Sequence, residues 1–241
     1  MDIRRFAIGD IHGSISALKQ CLDIVKFDYE NDILIQLGDI VDRHDYSYEC
    51  VEELLKIKKL VSIRGNHDDW WYKYLLFGKH QGEWEHGGLA TLGSYSRALF
   101  GSYWKYASEW RYNMLKKSIP KSHLDFFENQ INYYILDRML FVHGGFDKGK
   151  LISDQAEYTY YWDRELWKSA CIFQMGYQEL GKEFKYIDDS FDQVFIGHCP
   201  LTDGNPASAV NITNIDTYCG GSGRLTIMDI DTKKYWQSDF Q

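Results

Sequence analysis

At 241 residues, with 44% hydrophobic and 26% charged side chains, the chain has the composition of a soluble globular protein able to bury a substantial core. Its formal net charge of -8 argues against an extended nucleic-acid footprint, because phosphate backbones are held by clustered Lys and Arg. A small anionic ligand stays compatible with that charge, provided a metal ion or a few Arg supply local positive potential.

The N-terminal residues, Met1 to Phe6, lead straight into a strand-like run without a signal-peptide apolar region. No apolar stretch approaches the length of a membrane span, so no membrane partner is expected. Five cysteines (Cys21, Cys50, Cys171, Cys199, Cys219) are scattered without a CxxC pair, which suits buried thiols in a reducing compartment. The expected location is therefore cytoplasmic. With three prolines, no repeat and no low-complexity stretch, the expectation is a single domain over residues 1–241.

Along the chain, apolar runs end again and again in Gly and a polar residue. Phe6-Ala7-Ile8 ends at Gly9-Asp10. Ser14 then reads as the N-cap of a helix carrying Ile15, Leu18, Leu22 and Val25 at three- to four-residue spacing. Ile33-Leu34-Ile35-Gln36-Leu37 ends at Gly38-Asp39, and a second helical pattern runs through Val51, Leu54, Leu55 and Lys58. Leu60-Val61-Ser62-Ile63 ends at Arg64-Gly65-Asn66-His67. The stretch from about Trp70 to Gln130 is aromatic-rich and helical in tone, an excursion placed to cap one side of the strand ends. Its clusters Trp70-Trp71-Tyr72-Tyr74 and Trp104-Tyr106-Trp110 read as core under that excursion, with a substrate-facing wall as the alternative. Further on, Met139-Leu140-Phe141-Val142 ends at His143-Gly144-Gly145, and Val194-Phe195-Ile196 ends at Gly197-His198. After residue 205 short runs at 212–215, 225–228 and 235–236 suggest antiparallel strands completing a second sheet. Alternating strands and helices predict an α/β sheet, with ligands at the strands' carboxyl ends.

Five strand exits together offer Asp10, His12, Asp39, Asn66, His143 and His198. A lone His or Asp after a strand is usually a cap or turn residue. Five such exits, each preceded by an apolar run and flanked by Gly, are hard to obtain by chance. The mixed imidazole and oxygen set suits a divalent cation such as manganese, iron or zinc, and the absence of thiolates disfavours a purely structural zinc site. In Asp10-Ile11-His12 the i and i+2 side chains of an extended segment face the same way. The ligand count suits two metals sharing one carboxylate, an arrangement that activates a water and clamps phosphoryl oxygens. Glycines 9, 13, 38, 65, 144, 145 and 197 are expected to permit tight turns and close backbone approach.

The motifs Gly9-Asp10-Ile11-His12-Gly13, Gly38-Asp39-Ile40-Val41-Asp42-Arg43, Gly65-Asn66-His67-Asp68, His143-Gly144-Gly145 and Gly197-His198 resemble, in order, the signature set of the PPP-type Ser/Thr protein phosphatases. The size, and the run from Gly87 to Tyr95, resemble its compact bacterial and phage branch. The resemblance implies a calcineurin-like α/β fold, two packed mixed sheets flanked by helices. It implies two divalent metal ions, manganese foremost, with Asp10 and His12 on the first, Asp39 bridging, and Asn66, His143 and His198 on the second. His67 would be the general acid, held by Asp42, while Arg43 and Arg164, with Asn66, would bind the substrate phosphate. A carboxylate beside an imidazole favours the charged ring and fixes its tautomer, and planar guanidinium groups suit paired bonds to phosphate oxygens. Arg164 in Tyr161-Trp162-Asp163-Arg164-Glu165 has a plainer alternative, a surface Arg paired with Glu165 or Asp163.

The chain departs from the family pattern in three places: His44 replaces Gly, Asp68 replaces Glu, and Tyr218 replaces Gly after Asp216-Thr217. His80, His86 and His123 match no ligand position and read as surface or capping residues, whereas His44 is within possible reach of substrate. The implied activity is hydrolysis of phosphoserine and phosphothreonine monoesters, in a phosphorylated protein or peptide or a small phosphoester, by attack of a dimetal-bound water. A dinucleoside polyphosphate hydrolase with the same chemistry is the second possibility. A catalytically silent scaffold is the third, disfavoured by the intact set of ligands, acid and Arg.

Overall fold

In the computed structural model, which describes residues 3–78, 86–178 and 190–239, strand and helix alternate through the first third of the chain. In order come β1 (Arg5–Ile8), α1 (Ile15–Ile24), β2 (Ile33–Gln36), α2 (Ser47–Leu54), β3 (Lys59–Ser62) and α3 (Asn66–Phe77). The excursion continues with α4 (Gly88–Phe100), α5 (Glu109–Ser118) and α6 (Lys121–Glu128). The chain then forms β4 (Tyr133–Leu136), β5 (Met139–Val142), a 3-10 turn at Ile152–Asp154, α7 (Glu157–Trp162), α8 (Glu165–Gln178) and β6 (Gln193–Ile196). It finishes with β7 (Ala207–Ala209), β8 (Ile212–Asn214), β9 (Thr226–Asp229) and β10 (Tyr235–Gln237).

Two five-stranded mixed sheets result, ordered β10-β9-β1-β2-β3 and β4-β5-β6-β8-β7. β1, β2 and β3 are parallel neighbours, as are β5, β6 and β8, so their carboxyl ends form two adjacent rims. Period-two alternation sorts each strand's residues into three apolar layers. Phe6, Ile8, Leu34 and Ile227 face the layer under α1, α2 and the excursion. Ala7, Ile35, Phe141, Phe195 and Met228 meet between the sheets, where the Phe141 and Phe195 rings stack at 4.9 Å. Leu140, Val142, Val194 and Ile196 pack with Tyr160, Tyr161 and Leu166 of α7 and α8. This is the expected pair of mixed sheets between helical layers.

Four details differ from the sequence reading. The runs at 225–228 and 235–236 join the first sheet, not the second: Met228 pairs antiparallel with Ala7, and Trp236 with Ile227. Only the strand at 212–214 completes the second sheet, parallel to β6, with β7 beside it. α2 ends at Leu54, and Lys58 lies beyond it, because its N–H bonds the Tyr29 carbonyl as the chain turns into β3. Ser14 occupies the N-cap position of α1, but its side chain makes no capping hydrogen bond to the helix.

The excursion is mainly core. Trp71 is fully buried, stacked on Tyr74 at 5.8 Å and tilted against Tyr95 of α4 at 4.6 Å. Trp70 and Trp104 are buried as well, whereas Tyr106 and Trp110 are exposed. His123 is not the surface residue its sequence context suggests: it is buried in α6, bonded to the Tyr95 hydroxyl at 2.9 Å and to Glu52 at 2.6 Å. His86 is exposed, and His80 lies outside the described residues. No helix among the described residues is long and apolar enough to cross a membrane.

Truncating Trp71 to Ala is expected to lower unfolding free energy by about 3–5 kcal/mol, since a large buried ring leaves a cavity. Urea denaturation followed by circular dichroism checks it, and an unchanged midpoint would place the ring outside the core.

Candidate metal centre

The rims of the two sheets bring all six strand-exit donors together. Asp10 and His12 follow β1, Asp39 follows β2, Asn66 opens α3 after β3, His143 follows β5 and His198 follows β6; all six are buried. Three histidines are aimed by backbone carbonyls or left open. His12 Nδ1 bonds the Val41 carbonyl at 3.0 Å and His143 Nδ1 bonds that of Leu37 at 2.6 Å. Each carbonyl accepts, so Nδ1 carries a proton and Nε2 is the nitrogen turned to the site; beside Asp39 the His143 ring is raised, and a cation there would take the place of its Nε2 proton. His12 Nε2 lies 3.6 Å from Asp39 Oδ2, and His143 Nε2 lies 3.4 Å from Asp39 Oδ1 and 3.2 Å from Asn66 Oδ1. His198 Nε2 is buried with no hydrogen-bond partner among the described residues.

Two trios of donors lie within 4.8 Å of one another, and Asp39 belongs to both: His12, Asp39 and His67 in one, Asp39, His143 and His198 in the other. A shared carboxylate between two groups, beside an orphaned imidazole nitrogen, fits a pair of divalent cations. The oxygen and imidazole donor set suits manganese, iron or zinc and contains no thiolate. Asp10 stands outside both trios, yet its carboxylate accepts the His198 backbone N–H at 3.2 Å and so joins the β1 and β6 exits.

The exits are sharp because functional residues themselves take left-handed backbone. His12, Asp39, Asp42, Arg43 and His198 have φ between +50° and +72°. Such conformations cost roughly 1–3 kcal/mol each outside Gly and persist where surrounding bonds enforce them. The Asp39 carbonyl, for example, accepts both the Ile11 and His12 N–H groups at 3.0 and 2.9 Å. Of the flanking glycines, Gly38 takes φ +98°, as a turn requires. Gly197 is needed for space instead: a Cβ there would collide with the Asp10 carboxylate.

Burial sets the electrostatics. It pushes the Asp10 carboxyl well above its usual range, with Asp216 and Asp39 adding repulsion. Burial opposes ionisation of Asp39 too, but His143, His67 and His12 around it hold it well below the usual range. Burial lowers His12 to about 3 and His198 to about 2, leaving both rings neutral and ligand-ready. Asp68 and Asp216 are lifted to about 6 by burial, each with Asp39 as a repelling neighbour. Crowded buried carboxylates of this kind are stabilised by a cation, whose charge inverts the local pKa logic.

Beside the donors, His67 Nδ1 lies 2.7 Å from Asp42 Oδ2 and is raised: burial disfavours the charged ring, but Asp39 and Asp42 outweigh it. Its second nitrogen is left for the cavity. Arg43 and Arg164 are exposed and line the cavity, of about 70 Å³, with Asp10, His12, Asn66 and His67. Arg164 donates to the His198 carbonyl at 2.7 Å, while Glu165 pairs with Lys168 and Asp163 accepts the Leu166 N–H. The surface pairing foreseen as its alternative is not among these contacts.

The departures have structural answers. Asp68 accepts the Ile40, Val41, Gly65 and Gln130 donors, stapling the β2 exit to α3, so the shorter carboxylate still bridges. His44 lies outside the metal cavity and bonds the Cys219 carbonyl at 2.8 Å through Nε2. Tyr218 adopts φ +66°, the conformation a Gly would take, and lines the cavity. Asp216 also lines it and was not singled out from sequence as a site residue. Its signal was present: Ile212-Thr213-Asn214-Ile215 ends at Asp216 as the other runs do, but without an adjacent Gly.

Comparison with known proteins places this geometry in company. The profile of the calcineurin-like phosphoesterases matches residues 3–221. Among curated proteins the chain is 38% identical over 63 residues to Serine/threonine-protein phosphatase 1 of Salmonella typhimurium, covering 26% of this chain and 29% of that one. It is 36% identical over 64 residues to the symmetrical bis(5'-nucleosyl)-tetraphosphatase of Wigglesworthia glossinidia brevipalpis, covering 26% and 24%. The matched segment thus spans about a quarter of these relatives' lengths. The metallophosphoesterase from Sphaerobacter thermophilus shares the fold, with a TM-score of 0.54, 17% identity, and coverage of 99% of this chain and 90% of that one. Profile and fold agree with the strand-exit donors: the chain belongs to the calcineurin-like phosphoesterase family.

Proposed function

We propose that the chain hydrolyses phosphomonoesters, with phosphoserine and phosphothreonine as its substrate class, using two divalent cations, manganese foremost. Asp39 carries the reading: one buried carboxylate is shared by two donor trios that meet under a cavity flanked by Arg43 and Arg164. Asp10 and His12 would hold the first cation, Asn66, His143 and His198 the second, with Asp39 between them. When bound, the cations supply an activated water and neutralise charge on the phosphoryl oxygens. Arg43 and Arg164, together with the Asn66 amide, orient the phosphate, and the exposed guanidinium groups suit paired bonds to its oxygens. Asp42 accepts from His67 Nδ1, which fixes the tautomer and leaves Nε2 to give its proton to the leaving oxygen.

The cavity, about 70 Å³, is small, so the phosphoryl end of a substrate would enter it and the remainder would lie outside. A second reading has its own observation. An open groove beside the cavity shares Arg164 and adds Tyr158, Trp162 and Lys168, a combination able to take a base and a further phosphate of a dinucleoside polyphosphate. The tetraphosphatase relatives support that reading.

A panel of a phosphoserine peptide, an aryl phosphate and diadenosine tetraphosphate, run on metal-stripped protein with manganese, zinc, iron or magnesium restored, decides between them. The peptide is expected to show the highest kcat/KM; faster turnover of the dinucleotide would replace the first reading by the second. Chelation is expected to abolish turnover and lower the melting temperature. Restoring manganese at a hundred times its Kd is expected to return about 2.7 kcal/mol of stability. Asp39→Asn is expected to lose both metal, measured by elemental analysis, and activity. His67→Asn is expected to lower kcat by roughly two to four decades with metal content intact. Metal loss in that variant would make His67 a ligand, as its place in the first trio also permits.

A further inference from the structure

The run from Gly87 to Tyr95 is the one sequence motif that the chemistry above leaves without a part. It forms the start of α4, and it carries Thr91, whose side chain is fully buried. Thr91 Oγ1 lies 2.5 Å from Asp42 Oδ1, 2.8 Å from the Asp42 backbone nitrogen and 3.2 Å from Ser47 Oγ. These three contacts assign the protons. A hydroxyl has one proton and two lone pairs, and a carboxylate only accepts. The Thr91 proton therefore points at Asp42 Oδ1, one lone pair takes the Asp42 N–H, and the other takes the proton of Ser47.

The consequence falls on the acid pair. Asp42 gives one oxygen to Thr91 and the other, at 2.7 Å, to His67 Nδ1, so the plane of its carboxylate is set from both sides. Its backbone sits at φ +71°, which needs enforcing, and the same hydroxyl holds its N–H. Gly87 lets α4 begin close enough: at φ +122° its carbonyl accepts the Arg43 N–H at 3.3 Å, and a Cβ there would lie 2.7 Å from Arg43 nitrogen. Helix, glycine and threonine thus converge on the two residues that follow Val41.

We propose that Thr91 is a positioning residue for the general acid, its hydroxyl fixing the Asp42 carboxylate so that His67 Nε2 meets the leaving oxygen. The step it serves moves one proton from Nε2 to that oxygen as the P–O bond breaks, leaving a neutral imidazole still bonded to Asp42. The proposal rests on His67 acting as the acid, and its test keeps the two apart. Thr91→Val, near-isosteric, is expected to keep metal content and KM. It should lower kcat on an alkyl phosphate such as a phosphoserine peptide roughly tenfold to a hundredfold, the usual range for residues that orient a working side chain. The fall on p-nitrophenyl phosphate, whose leaving group needs little protonation, should be much smaller. In metal-free protein, the downfield His67 ring N–H proton resonance, assigned by its loss in His67→Asn, should shift or broaden. Thr91→Ser should restore all three readouts. In an Asp42→Asn background, Thr91→Val should add nothing further.

Equal falls on both substrates, an unmoved resonance, or no recovery with Ser in folded protein would overturn the proposal. Where Val is not tolerated, Thr91→Cys weakens the donor at similar volume and carries the same expectations and the same overturning results. If His67→Asn itself shows no bias toward the aryl substrate, it is the reading of His67 that fails. Normal bias in His67→Asn with none in Thr91→Val removes Thr91 alone.

Discussion

The buried negative charge of Asp39 organises this molecule. Asp39 is 2% exposed, yet it stays ionised, because the His143 and His67 rings, both raised by it, and the His67 backbone N–H face it. That N–H opens α3, so the positive end of the helix dipole is also directed at the carboxylate. Asp10, Asp68 and Asp216 crowd the same region, and burial raises all three in spite of the hydrogen bonds they accept. An interior built this way is poorly stable by itself and well stabilised by divalent cations. The layer between the two sheets, by contrast, is apolar, built of Ala, Ile, Leu, Phe and Met. Apolar packing sets the distance between the rims, and the rims hold the donors against one another.

This division explains which features could be read from the sequence. Strand exits were visible because burial on both faces makes β1, β2, β5 and β6 short continuous apolar runs, and because Gly must follow where another residue's side chain presses in, as Asp10 does on Gly197. Sheet membership was not visible for 225–228 and 235–236, since periodicity reports that a strand is half-buried and says nothing of its neighbour. Pairing with β1 depends on long-range contact between Met228 and Ala7. His123 was misread for a related reason: an imidazole on a helix looks solvated until Tyr95 and Glu52 arrive from α4 and α2. Asp216 escaped notice because its exit lacks the glycine that marked the others. The family resemblance named roles for single residues, whereas the partners that aim them, Val41, Leu37 and Asp68, became apparent only in three dimensions.

The excursion between β3 and β4 is where this chain fastens the His67–Asp42 pair. α3 presents Trp70 edge-on to His67 at 4.9 Å, and Trp70 in turn meets Trp162 of α7 at 5.1 Å. Trp162 packs against both outer core layers and stands perpendicular to His198 at 5.9 Å. Aromatic rings therefore run from the His67 side of the centre to the His198 side. They exclude water from the carboxylate–imidazole pair and strengthen its hydrogen bond by lowering the local dielectric. The same low dielectric would make an uncompensated charge expensive, so the wall and the cations require each other.

Under the proposed function, substrate capture poses the opposite electrostatic problem. A chain of net charge -8 repels phosphate at long range, and salt screens that repulsion beyond about 10 Å. Within that distance the local arrangement decides. Arg43 and Arg164 are exposed at the cavity mouth, one on the β2 exit and the other between α7 and α8. Each is anchored through backbone: the Arg43 N–H to Gly87, and the Arg164 guanidinium to the His198 carbonyl. On the proposed reading, anchoring the second guanidinium to His198 ties a phosphate-binding group to one of the metal ligands. If the proposed roles hold, a shift of the β6 exit would move His198 and Arg164 together and so preserve the spacing between ligand and phosphate clamp, on which catalytic orientation depends.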